Sequence, residues 1–153
     1  MLRHGGVTPW TEAEGMDDKL AMLRSVPLFV GLDDAELKAV GAATRELEVP
    51  AGHELAREET FGEDFFLILD GDVRIHRSGA TLRTMGPGDF LGEIALIDHG
   101  RRTASATTET DCRLLVLGHR EFHALLDSQP DIRVHVLEAL ARRVRQLAPE
   151  HEV

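Results

Sequence analysis

This chain of 153 residues has little cysteine, fewer positive than negative side chains and no long apolar run. A single cysteine, Cys112, rules out an internal disulfide and suits a reducing compartment, so a cytoplasmic location is expected. Against 27 acidic side chains stand 17 Lys and Arg, a net charge of −10. That balance argues against nucleic acid or an anionic bilayer as a partner of the whole surface, while leaving room for a small positive pocket. No stretch of about 18 apolar residues occurs, so no membrane span is encoded. The opening "MLRHGGVTPWTEAEG" lacks the apolar middle of a secretion signal. Its Gly, Pro, Thr and Glu content reads as a flexible arm over residues 1–15, and Met16 is an equally sensible first residue. Repeats and low-complexity segments are also missing. What remains, 42% hydrophobic, suits one domain over residues 16–148 with a short tail at 149–153.

The apolar pattern has a helical period at both ends. From Lys19, the residues Leu20, Leu23 and Val26 mark a short amphipathic helix ending near Pro27. In "GLDDAELKAVGAA", Asp33 and Glu36 stand three apart as in a capping box, with Leu37 and Val40 on the inward stripe. After the middle, "REFHALLDSQ" makes a short helix with Phe122, Leu125 and Leu126 inward. "DIRVHVLEALARRVRQL" makes a longer one, with Leu137, Leu140, Val144 and Leu147 in a 3-4-3 stripe.

Between them, over about residues 44–118, the period drops to two. "ELEV" alternates, "FFLIL" is a continuous apolar run like a strand covered on both faces, and "DVRIHR" alternates again after a tight-turn signal at Asp70 and Gly71. "SGA" turns the chain into "TLRTM", "GPGD" bends it, and "CRLLVL" is the last apolar strand. Short strands with turns every 8–12 residues predict a mainly β domain with helical flanks, an antiparallel eight-stranded β-roll or jelly roll. The helices at about 119–147 follow it.

One stretch, "FLGEIALIDHGRRTASA", does not read as ordinary core. Glu93 heads an apolar run, Ile94, Ala95, Leu96 and Ile97, and a carboxylate entering a buried segment needs partners. Gly92 lacks a side chain just before a short helical turn, which lets a ligand reach the backbone N–H groups of Ile94 and Ala95. Arg102 opens a strand-like "RTASATT", where its planar guanidinium can fork two phosphate oxygens. Glu93 would repel phosphate, so its use is as acceptor for a hydroxyl such as a ribose 2′-OH. A single phosphate seat beside a hydroxyl acceptor describes a compact nucleotide.

These residues resemble the phosphate-binding cassette of cyclic nucleotide-binding domains, shared by catabolite activator proteins, kinase regulatory subunits and gated channels. The likeness runs from about Leu23 to Leu147 through "VPLFVGLDDAEL", "FFLILDGDVRI", "LRTMGPGDFLGEIAL" and "RRTASATTETDCRLLVL". It implies that Glu93 binds the ribose 2′-OH and Arg102 the cyclic phosphate, with Gly92, Ile94, Ala95, Thr103 and Ala104 completing the cradle. It also implies that Gly71 holds a hairpin supporting the barrel. Three positions depart from the family pattern: Arg101 stands where proline is common, Glu59 where a turn glycine is usual, and Leu91 where phenylalanine or a small residue is common. Glu59 therefore predicts a rearranged turn in "AREETFGED". The hydroxyl of Thr103 resembles cyclic GMP-dependent kinases, yet bacterial receptors carry one too; the reading favours cAMP over cGMP.

Competing constellations fare worse. His119 and His123 share one helical face, but no third ligand is evident, so neither metal nor cofactor is expected. Asp98 and His99 sit in the cassette loop without a nucleophile or relay, and catalysis needs several roles filled at once, so no enzyme is expected. The glycines of "GPGDFLG" lack a βαβ unit, Cys112 opens an apolar strand, and "ARRVR" fits a solvated helix face. Catabolite activators continue into a helix-turn-helix domain, whereas this sequence ends at Val153, so a stand-alone sensor without DNA-binding is expected. In the mechanism implied, ligand draws in the 92–102 loop, Ile94, Leu96 and Ile97 shift against the C-terminal helices, and helix 131–147 closes over the purine. Output then goes to a partner chain or a second copy. The stripe of Leu137, Leu140, Val144 and Leu147 serves either as a coiled-coil-like seam or as packing within the chain. The alternative function is a protein-interaction module that kept the fold and lost the ligand.

Overall fold

The computed structural model describes residues 12–98 and 100–147. They form two compact units, residues 44–121 and the segments on either side.

The first unit holds eight strands: β1 (Arg45–Val49), β2 (Glu54–Ala56), β3 (Asp64–Asp70), β4 (Val73–Arg77), β5 (Ala80–Met85), β6 (Phe90–Leu91), β7 (Ser105–Thr108) and β8 (Cys112–Gly118). A one-turn helix, α3 (Ala95–Asp98), separates β6 from β7. The strands make two antiparallel sheets, ordered β1-β8-β3-β6 and β2-β7-β4-β5. This is the jelly roll expected. Alternation explains the core: Val49, Phe66, Ile68, Val73, Ile75, Ala106, Leu114 and Val116 meet between the sheets. In "FFLIL" all five side chains are buried, Phe66 and Ile68 inside the roll and Phe65, Leu67 and Leu69 on the other face. Cys112 is a free, buried thiol of the inner core, and burial pushes its pKa up.

The turn at Gly71 is a correction. Strand β3 pairs with β6 and β8, whereas β4 pairs with β5 and β7, so Gly71 carries the chain from one sheet to the other and closes no hairpin. The glycine is still demanded, because its φ is 99° and a Cβ would lie 2.5 Å from the Asp111 carbonyl and 2.6 Å from Cys112 Sγ. The true hairpin is the next one. Arg77 pairs with Ala80 around Ser78 and Gly79, whose φ values of 52° and 82° are what a two-residue primed turn requires. In "GPGD", the Gly86 N–H donates to Asp89 Oδ2 at 2.9 Å, and Gly88 and Asp89 exchange backbone bonds with Ile68. That bend delivers β6 to the edge of β3.

The second unit contains α1 (Glu12–Arg24), a 3-10 turn at Pro27–Phe29, α2 (Asp34–Ala43), most of α4 (His119–Ser128), and α5 (Pro130–Leu147). Helix α1 starts earlier than the apolar stripe suggested, taking in residues 12–15 of the expected arm, and it stops at Arg24. The rest of that arm and the tail at 149–153 lie outside the described residues. The capping box forms as expected: the Glu36 N–H donates to Asp33 Oδ1 at 2.8 Å and the Asp33 N–H to Glu36 Oε1 at 3.0 Å. Glu36 Oε1 also meets His135 Nδ1 of α5 at 3.0 Å. On α5 the buried side chains are Ile132, Val136 and Ala139, while Leu137 is 59% and Leu147 78% exposed. Of the expected stripe, Leu137, Val144 and Leu147 are therefore mainly exposed, while Leu140 is half-buried. Among the described residues no helix is long and apolar enough to cross a membrane.

Replacing Gly71 with alanine adds both left-handed backbone strain and a steric overlap with β8. We expect Gly71→Ala to lower unfolding free energy by about 3 kcal/mol, read by urea denaturation.

Candidate functional site

The site begins where β6 ends. The chain turns at Gly92 with φ 85°, and a Cβ there would come within 2.5 Å of the Asp64 carbonyl and of Arg102 Nη1. Only glycine allows that approach. Glu93 follows, 4% exposed, and heads the turn of α3 through Leu96 N–H to Glu93 carbonyl at 3.2 Å. Leu96 is fully buried and Ala95 nearly so, and α3 packs on β3; Ile94 faces solvent. The Ala95 carbonyl lies 3.1 Å from His119 Nδ1 at the start of α4, and since a carbonyl only accepts, Nδ1 carries the proton.

The two arginines divide by alternation. Residues 100–102 run antiparallel to 59–62: the Glu59 N–H donates to the Arg102 carbonyl at 2.9 Å, the Arg102 N–H to Thr60 at 2.7 Å, and the Gly62 N–H to Gly100 at 3.2 Å. Successive side chains of an extended segment point opposite ways. Arg101 lies outward over the Phe61 ring, 5.3 Å from its centroid, with Glu59 Oε1 3.7 Å from Nη1. Arg102 turns inward and donates through Nη2 to the Asp64 carbonyl. A side chain on Gly62 would overlap its guanidinium, as would one on Gly92, so two glycines make the slot.

Burial pushes the Arg102 pKa down, and the Asp64 charge partly offsets this. Arginine starts so far above neutrality that the group stays charged. Among the described residues Arg102 forms no ion pair with Glu93 or with any other carboxylate. Also among the described residues, the backbone N–H groups of Ile94, Ala95 and Ala104 have no hydrogen-bond partner. Thr103 is exposed, and its carbonyl accepts from Arg77 Nε at 2.7 Å.

Of the residues singled out in the sequence, Gly92 and Arg102 are brought into direct contact, with Glu93, Ile94 and Ala95 next along one arm and Thr103 and Ala104 along the other. At Glu59 the φ of 70° puts glutamate in the conformation glycine favours, and its N–H donates to the Arg102 carbonyl. Gly62 and the Asp64 carbonyl were missed. The glycine of "FGED" was the available signal, but nothing local says which side chain will fill the space beside it.

The two four-stranded sheets and the loop between β6 and β7 define a β-roll domain. The profile of the cyclic nucleotide-binding domain matches residues 46–129, more than half of the chain, and the protein belongs to that family. A "CRP-like cAMP-activated global transcriptional regulator" of Mycobacterium tuberculosis is 31% identical over 86% of this chain and 59% of its own length. The chain thus spans about 60% of such curated relatives. Among solved structures, the N-terminal domain of a Streptomyces coelicolor transcriptional regulator is 33% identical with a TM-score of 0.78, covering 86% of this chain and 96% of that one. The regulatory domain of Toxoplasma gondii PKA, solved with cAMP, is 30% identical with a TM-score of 0.68, over 76% of this chain and 46% of that one.

A left-handed glutamate carries backbone strain that glycine avoids, partly offset by the greater freedom glycine loses on folding. Glu59→Gly is expected to raise stability by up to about 1 kcal/mol in chemical denaturation.

Proposed function

We propose that the protein is a cytoplasmic sensor of a cyclic mononucleotide, cAMP in preference to cGMP, and a binding module rather than an enzyme. The observation that carries this reading is Arg102: a half-buried guanidinium in a slot made by two glycines, without a carboxylate partner among the described residues. A charge desolvated to that degree gains most from an anion that arrives as ligand. In this reading Arg102 takes the cyclic phosphate, and the N–H groups of Ile94, Ala95 and Ala104 add partial positive charge, with Gly92 and Thr103 shaping the cradle. Glu93 accepts the ribose 2′-OH. Support for cAMP comes from relatives, the M. tuberculosis regulator and the T. gondii regulatory domain among them.

The signal leaves through rearrangement of the C-terminal helices and passes to a partner chain. A second copy of this chain fits that role, because Leu137, Val144 and Leu147 present an exposed apolar stripe on α5.

Isothermal titration with cAMP and cGMP tests the proposal. Arg102→Ala removes two charge-assisted bonds to phosphate and should weaken cAMP binding by about a hundredfold or more, while Arg101→Ala changes it by less than about threefold. Equal losses would mean that the wrong arginine has been assigned. No heat with either nucleotide would favour a protein-interaction module that has lost its ligand.

A further inference from the structure

The β4–β5 hairpin reaches the segment that follows Arg102. Arg77, the last residue of β4, donates through Nε to the Thr103 carbonyl at 2.7 Å. Its neighbour Ser78 offers its N–H to both oxygens of Glu58, at 3.1 and 3.3 Å. Glu58 in turn grips Ser105: its N–H donates to Ser105 Oγ at 3.0 Å, and that hydroxyl donates back to Glu58 Oε1 at 3.3 Å. Ser105 is buried, so this knot is anchored in the roll. Residues 103–105 are tied to the hairpin tip at one end by Arg77 and at the other through Glu58.

A peptide unit is planar and trans, so its C=O and N–H point in opposite directions. Holding the Thr103 carbonyl therefore fixes the direction of the Ala104 N–H, which has no partner among the described residues. An N–H donor serves an anion best when its direction is held before the anion arrives. The same bond limits rotation at Thr103 and thereby the placement of its hydroxyl.

We propose that Arg77 is a positioning residue of the nucleotide site: by holding the Thr103 carbonyl it aims the Ala104 N–H and the Thr103 hydroxyl at bound ligand, setting affinity and purine preference together. This rests on the functional reading above. Arg77 is exposed, so an indirect contribution of its charge is the competing explanation, and salt separates the two.

The test is titration of the full chain and its Arg77→Ala, Arg77→Gln and Arg77→Lys variants with cAMP and cGMP, at low and high salt, with thermal midpoints as the folding control. Arg77→Ala should weaken binding about threefold to tenfold at either salt and change the cAMP-to-cGMP ratio. Arg77→Gln, which retains an N–H donor without charge, should recover part of the loss. In combination with Thr103→Ala, the change in ratio should be less than additive. Wild-type affinity in Arg77→Ala overturns the proposal, as does a loss that Lys repairs, Gln does not, and high salt abolishes. If the wild type itself binds neither nucleotide, the functional reading falls and takes this assignment with it.

Discussion

A single cation held against desolvation organises this roll. The Arg102 guanidinium lies half-buried between Gly62 and Gly92 and donates to the Asp64 carbonyl at the start of β3. A half-buried charge is costly to leave without hydrogen bonds, so the Asp64 carbonyl and the backbone at the two glycines have to stay where they are. The short ladder between residues 59–62 and 100–102 keeps the arginine in register, and the left-handed turn at Gly92 brings the other arm against it. A β-branched residue at either glycine would close the slot.

Around this centre the structure builds rigidity from short pieces. The bend at "GPGD" bonds to Ile68 of β3 and sets the two-residue strand β6, from which the loop departs. Leu96 anchors α3 in the apolar interior, leaving Ile94 at the surface. On the far arm, Glu58 and Arg77 fasten residues 103–105 to the β4–β5 hairpin. Both arms of the loop are thus constrained from outside the loop, which gives direction to the backbone groups it carries.

The flanking helices obey the same local physics, with a different outcome on each face. In α5, Ile132, Val136 and Ala139 are buried at helical spacing, and Glu36 joins the capping box of α2 to His135 of the same unit. The apolar residues on another face, Leu137, Val144 and Leu147, stay in solvent. Periodicity singled out the stripe of Leu137, Leu140, Val144 and Leu147 and passed over Ile132, Val136 and Ala139, because a helix with two apolar faces does not announce which of them the fold will bury.

Much of this molecule was legible one residue at a time. Strand periodicity marked β1, β3, β4, β5 and β8, the Asp33 and Glu36 spacing marked a cap that forms as written, and a glycine before a buried carboxylate, with an arginine nine residues on, pointed to the loop. Strands β2 and β6 escaped because three and two residues are too few to carry a period. What only the tertiary structure decided was partnership. Gly71 signalled a turn, but whether β3 and β4 would pair or part depended on β8 competing for β3. Arg101 and Arg102 are chemically the same residue, and an antiparallel register with 59–62 sends one outward and the other into the slot. Local sequence determines conformational preference and polarity. Which groups then meet is a property of chain segments far apart in number, because contacts between strands are set by register and layer order rather than by neighbours along the chain.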